Sequence, residues 1–219
     1  MKRCAALLLL AFSVSLSTGC SRGVTPLMTA AKDKSPAAIA ELLKAGVDVN
    51  AQSKDGWTAL MIAAEYNPDP KVLTMLIDAG AQVNMRDRLG ASALMAAAAK
   101  NQNPEVINTL VRAGADINNK ADSRITSALM LAVMNNRLEV ITSLLSAGAD
   151  VKAQDLDGLT PLMYAAMYSN NPDVLVLLLK SGADAKVKDK KGKTAFDYAR
   201  TNEKLKGSDA YAALEAATR

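Results

Sequence analysis

The sequence contains no histidine, and that single absence removes much of the chemistry a 219-residue chain could carry. A Ser-His-Asp or Cys-His catalytic group needs an imidazole base, and a His-containing zinc site needs an imidazole ligand. Cysteine is nearly absent too: Cys4 and Cys20 are the only two, so there is no dense disulfide framework. Aromatic residues make up 4% of the chain, with a single tryptophan. No apolar run is long enough to cross a bilayer, which takes roughly 20 residues. Nor does either sign of charge dominate, since 26 Lys and Arg stand against 22 Asp and Glu for a net +4. That balance gives no support to nucleic-acid binding. What the chain does have is 50% hydrophobic residues, enough to bury a core and too many for disorder.

The longest apolar run extends from Ala5 to Leu16, interrupted by Ser13 and Ser15, and follows Lys2 and Arg3. A charged start, a short apolar centre and small residues behind it describe a secretory signal. Its end, Leu16-Ser17-Thr18-Gly19-Cys20, resembles a bacterial lipobox, with the usual Leu one place early and Ser17 in its slot. The resemblance implies cleavage after Gly19 and a lipid on Cys20; Ser21 behind it implies outer-membrane sorting. Residues 1–19 are therefore expected to be a signal peptide and 20–23 a lipid-attachment site and tether. Their removal takes away two positive charges and no negative one, leaving 24 against 22 in residues 20–219. Four residues separate Cys20 from Thr25, a reach of roughly 13–14 Å at about 3.3–3.6 Å each. The tether would hold the start of the folded domain at a membrane surface, where Arg22, Lys32 and Lys34 suit anionic headgroups.

The remainder is one unit repeated. Thr25-Pro26-Leu27-Met28, Thr58-Ala59-Leu60-Met61, Ser92-Ala93-Leu94-Met95, Ser127-Ala128-Leu129-Met130 and Thr160-Pro161-Leu162-Met163 recur, followed by Thr194-Ala195-Phe196-Asp197. Their first residues lie 33, 34, 35, 33 and 34 apart, and Gly46, Gly80, Gly114, Gly148 and Gly182 recur every 34. Two phased markers of this kind signal a solenoid. Each Thr or Ser reads as a helix N-cap, with Pro26 and Pro161 at the first helical position. Ser35-Pro36, Asp69-Pro70, Asn103-Pro104 and Asn171-Pro172 open a second helix, and the phased glycine suits its left-handed C-cap. A polar stretch then ends in a turn at Gly56, Gly90, Gly158 or Gly192. With Val47-Asp48-Val49-Asn50-Ala51 and Ala115-Asp116-Ile117-Asn118, these features closely resemble the ankyrin repeat family. Met in five repeats and Asp197 in the last replace the family's usual histidine, and Ile125 replaces the turn glycine of the fourth.

The resemblance implies an all-α solenoid of six helix-turn-helix repeats with finger loops over 24–219, at about 24–54, 55–88, 89–123, 124–156, 157–190 and 191–219. The last of these is read as a C-terminal cap. A single helix pair cannot bury its own apolar face, so neighbours supply the core and the concave side presents a surface without a deep cleft. Family geometry places the partner-binding positions beside each turn glycine and after each Ala-Ala. Those expected to anchor another protein are Trp57, Tyr66, Leu89, Met134, Leu156, Leu159, Met167 and Tyr168, because aromatics and methionine are enriched in interfaces. Trp57 sits in a loop slot where core packing does not demand a tryptophan.

Other residues read as structural. Asp48, Asp116, Asp150 and Asp184 share one place in the repeat and are read as loop-forming. The recurring methionines are read as core filling. A copper site at Met130/Met134 or Met163/Met167 is the competing possibility, because thioethers suit Cu(I). Lys186, Lys188, Lys190, Lys191 and Lys193 form a basic run on the last finger, read as solvated, with an acidic partner as the sharper alternative. The sequence thus predicts a non-enzymatic, monomeric, periplasm-facing lipoprotein of the outer membrane that binds another protein, without a cofactor and without nucleic acid. An inhibitor or immunity factor and a supporter of an envelope enzyme fit equally. A metal or oxidative-stress protein and a secreted host-directed effector are the alternatives.

Overall fold

The computed structural model describes residues 23–33, 35–121, 127–135 and 137–218; the signal segment, Cys20, Arg22 and the fourth finger tip at 122–126 lie outside this range. The described residues form twelve helices and no strand. They come in pairs: α1 Pro26–Lys32 and α2 Pro36–Lys44, α3 Ala59–Tyr66 and α4 Pro70–Asp78, α5 Ala93–Lys100 and α6 Pro104–Arg112. Then follow α7 Ala128–Met134 and α8 Leu138–Ser146, α9 Pro161–Tyr168 and α10 Pro172–Lys180, and α11 Ala195–Ala199 with α12 Asp209–Thr218. Odd helices stack on odd and even on even, giving two layers across which each pair closes. No described helix is long and apolar enough to cross a membrane.

Local chemistry sets the start and stop of each pair. The hydroxyls of Thr58, Ser92, Ser127 and Thr160 accept from the backbone N–H three residues on, at 3.2–3.4 Å. Asp69, Asn103 and Asn171 cap the second helices, with proline directly behind each. At the far end the chain must reverse toward the finger, and Gly80 does so at φ +92°, a conformation costly for residues bearing a Cβ. Inner helices are narrow because Ala63-Ala64, Ala97-Ala98 and Ala165-Ala166 are fully buried, which lets adjacent repeats approach. Leu60, Leu94, Leu129 and Leu162, with Leu73, Leu76, Leu110 and Leu144 opposite, fill the space between layers. Met28, Met61, Met95, Met130 and Met163 are buried with them, in the packing role expected from the sequence. The end is closed by Leu205 and Leu214, both fully buried, and by Phe196 against Tyr211 at 5.2 Å.

Hydrogen bonds tie the repeats in series. Asn50, Asn84 and Asn118 each donate Nδ2–H to the carbonyl of Gly80, Gly114 or Gly148. Each also accepts from the next repeat through Gln82, Asp116 or Asp150 N–H, at 2.8–2.9 Å. On the opposite edge, Asn101 donates to the carbonyls of Ala64 and Asn67, both at 2.8 Å. The fourth repeat departs from this pattern. Its first helix α7 has seven residues against eight in α3, α5 and α9. Asn135, 34 residues beyond Asn101, is exposed and bonds within its own turn. The Arg137 guanidinium bridges instead to the Asn101 carbonyl, at the N-terminus of a helix that has no side-chain cap.

Candidate protein-binding face

Four fingers are held by a carboxylate or hydroxyl at the base. Asp87 accepts from Leu89 and Ala91 N–H, Asp155 from Asp157 and Leu159 N–H, and Asp189 from Lys191 and Lys193 N–H, all at 2.8–2.9 Å. Ser53 does the same for Asp55 and Trp57 at 3.3 and 3.1 Å. Ala121 holds this place in the fourth repeat and has no side-chain acceptor. Successive tips are joined where Arg88 N–H donates to Asp55 O and Lys190 N–H to Asp157 O, at 3.1 and 3.0 Å. Asp48, Asp116, Asp150 and Asp184 each accept from the N–H two residues on at 2.9–3.0 Å, the loop-forming role read from the sequence.

This frame sets where the eight candidate residues stand. Leu89 and Leu156 sit on finger tips and are 63% and 62% exposed. Tyr66 and Tyr168 end the inner helices α3 and α9, 38% and 53% exposed. Tyr168 lies against Tyr164 with ring centroids 6.2 Å apart. Trp57, Met134, Leu159 and Met167 are half-buried and pack on the core. For Trp57 this corrects the sequence expectation: the side chain is partly buried against the core, so core packing does use it.

The structure brings Trp57 and Leu89 together in one hollow of about 420 Å³, whose walls include Met61, Met95, Ala96 and Leu131. It does not bring Tyr66, Met134, Leu156, Leu159, Met167 or Tyr168 into that hollow; they continue along the same inner-helix ends and fingers. This face is therefore an apolar recess walled by repeats two to four, with Leu156 and Tyr168 exposed beyond it toward repeat five.

Glu65, which family geometry places on this face after Ala63-Ala64 but which is not among the expected anchors, lines the hollow together with Asp87 and Ser92. Glu65 is 7% exposed, and its carboxylate pairs with the Lys100 ammonium of the next repeat. Lys100 also donates to the Tyr66 hydroxyl at 3.2 Å, while Lys32 and Lys100 stand 5.4 and 5.0 Å from the Tyr66 ring. The hydrogen bonds to Glu65 and then Tyr66 raise the Lys100 pKa above its ordinary value. The 34-residue spacing of Tyr66 and Lys100 was the available signal, since it places both at the same point of adjacent repeats. Met61 and Met95, read as core, are core and hollow wall at once. No described cluster of Cys, Asp and Glu could hold a metal ion.

Known proteins place this architecture. The sequence model described as ankyrin repeats (3 copies) matches residues 2–87, 27–121, 70–155 and 129–209. Among solved structures, the chain is similar to a chain of the complex between Bd0816, a predatory endopeptidase from Bdellovibrio bacteriovorus, and the immunity protein Bd3460. Identity is 28% at a TM-score of 0.75, over 89% of this chain and 98% of that one. No curated protein matches. Overlapping matches across the folded region, on an all-helical two-layer stack, establish that the chain belongs to the ankyrin repeat family.

Proposed function

We propose that this protein is a non-enzymatic inhibitor that binds and neutralises an endopeptidase through its concave face, as an immunity factor of the bacterial envelope. The observation that carries the reading is the likeness, nearly end to end, to an immunity-protein complex with an endopeptidase. The face itself supports it. Trp57 and Leu89 line a recess, and exposed Tyr66, Leu156 and Tyr168 lie along the inner-helix ends and fingers, an arrangement suited to anchoring apolar residues of a partner segment. Finger tips hydrogen-bonded to their neighbours keep that surface pre-formed, which lowers the ordering cost of binding. The lipid on Cys20 and the periplasmic, outer-membrane location belong to the same proposal, since a tethered inhibitor meets the enzyme in the compartment where both reside.

The test uses residues 20–219, the endopeptidases of the same envelope, and activity measured on each enzyme's own substrate. The expected result is a one-to-one complex with loss of activity for at least one of them. A Trp57→Glu/Tyr168→Glu double variant with unchanged helical content should inhibit at least about 100-fold more weakly, because hot-spot losses run to about 2 kcal/mol or more each. Complexes with none of the endopeptidases would defeat the reading. Equal inhibition by the double variant would move the site off these residues.

A further inference from the structure

Charge along this chain is strongly uneven. Residues 180–206 hold nine Lys or Arg and four Asp or Glu, a net +5 against +4 for the whole chain, so the other 192 residues are slightly acidic. Folding sharpens the asymmetry. Asp189 is 7% exposed, its carboxylate occupied by Lys191 N–H, Lys193 N–H and the Tyr198 hydroxyl. Asp197 is half-buried and receives Thr194 N–H and Oγ1–H, both at 2.8 Å. Glu203 pairs with Lys206 at 2.5 Å. Meanwhile Lys186, Lys188, Lys190, Lys191, Lys193 and Arg200 are all exposed, and no salt bridge joins any of the six to a described carboxylate. Three of the four carboxylates in this stretch are thus buried or paired, Asp184 stays exposed where it accepts from Lys186 N–H, and the cations are left outside.

The cationic finger also has an apolar neighbour. The Lys190 N–H donates to Asp157 O, which sets the lysine tip beside the tip that exposes Leu156. We infer that the last finger is an electrostatic docking surface for an acidic segment of a protein partner, with an apolar residue of that segment resting on Leu156. Charge complementarity selects the carboxylates, and the exposed leucine favours a peptide chain over a headgroup layer. That the segment belongs to an endopeptidase rests on the inhibitor reading above; the surface itself does not. Exposed charge of this kind, outside any short ion pair, acts mainly on the rate of encounter and gives it a steep salt dependence.

The experiment treats envelopes containing the full chain with a water-soluble carbodiimide, which joins lysine amines directly to carboxylates. Lys188, Lys190 or Lys191 should become linked to Asp or Glu within an acidic segment of a second protein. A Lys188→Glu/Lys190→Glu/Lys191→Glu variant should lower that yield at least tenfold, and the corresponding Gln variant by less. Lys71→Glu, on an exposed position of the outer helix α4, should leave it unchanged. With the isolated partner, association should slow about tenfold between low and high salt for the native chain and stay nearly flat for the Glu variant.

Links only to this chain's own carboxylates, or equal yield from the Glu variant, would overturn the inference. So would charge-dependent sedimentation with phosphatidylglycerol vesicles without any protein link, which would make the surface a membrane contact. If the linked partner has no peptidase activity, the inhibitor reading fails and the surface stands. If an endopeptidase is inhibited equally by the native chain and the Glu variant, with the same salt dependence, the surface fails and the inhibitor reading stands.

Discussion

Asp189 sits among five lysines in the sequence, yet its carboxylate is buried, one oxygen accepting from the Lys191 and Lys193 backbone N–H groups and the other from the Tyr198 hydroxyl. Burial alone would push this carboxyl up, but the hydrogen bonds from Tyr198, Lys193 and Lys191 outweigh it and hold it below the usual carboxylate range. The partner shifts the other way: burial, then the bond to Asp189, push the Tyr198 phenol up to about 12. Both shifts become stability with a defined pH window. A depressed carboxyl contributes above its unfolded value of about 3.9, and the contribution is lost as pH falls through the folded value. A raised phenol contributes below its unfolded value of about 10, and that part is lost as pH climbs from about 10 toward about 12. Thermal melts should therefore be flat with respect to this pair between about pH 5 and 9 and fall beyond both limits. Tyr198→Phe should flatten the alkaline fall. Tyr164 should retain part of it, since burial and the bond to Asp155 raise its phenol as well. An unchanged alkaline fall in Tyr198→Phe would show that the hydroxyl does not hold the finger.

At the scale of elements, the finger is the unit that decides the face. Ser53, Asp87, Ala121, Asp155 and Asp189 share one register at 34-residue spacing, so the acceptor that shapes each finger was present in the sequence, as was its loss in the fourth. The glycines fall into two classes that do different work. Gly46 has φ +76° and nothing within 4 Å of where a Cβ would stand, whereas a Cβ on Gly56, at φ +87°, would lie 2.9 Å from Arg88 N and Asp87 Cα. Gly46→Ala should cost only the left-handed conformation, roughly 1–2 kcal/mol. Gly56→Ala should cost that plus about 1–3 kcal/mol for forcing two fingers apart, read from urea unfolding. It should also weaken partner binding, because the displaced backbone of Asp87 and Arg88 leads directly into Leu89 on the next tip. Equal destabilisation by the two would mean that finger stacking contributes little. The shorter α7 shows the opposite limit of legibility: the 35-then-33 spacing was visible, but that Arg137 would replace an asparagine bridge was not.

Over the whole molecule, the N-terminal helix pair belongs to the first repeat, and the cationic finger joins the fifth repeat to the C-terminal cap. The proposed tether at Cys20 would therefore place the first repeat at the membrane. Cys20→Ser should move the chain from the membrane fraction to the soluble envelope fraction while leaving inhibition by the purified protein unchanged. Retention of the variant in the membrane fraction would remove the anchor from the reading. Inhibition changing with the anchor in purified protein would place Cys20 or its neighbours in the binding face.

Sequence alone determined the repeat, the helix caps and the reversal glycines, because each is a local preference recurring at a fixed period. Leu89, Leu156, Tyr66 and Tyr168 were legible as surface residues for the same reason. Tertiary structure alone decided what those positions meet across repeats. It packs Trp57 partly on the core, buries Glu65 against Lys100, opens a hollow between Trp57 and Leu89, and turns Asp189 inward so that its lysines face out. The physical reason is that periodicity fixes which face a residue occupies. Exposure, pairing and the sign of the surface depend on side chains 34 residues away, which only the stacking brings together.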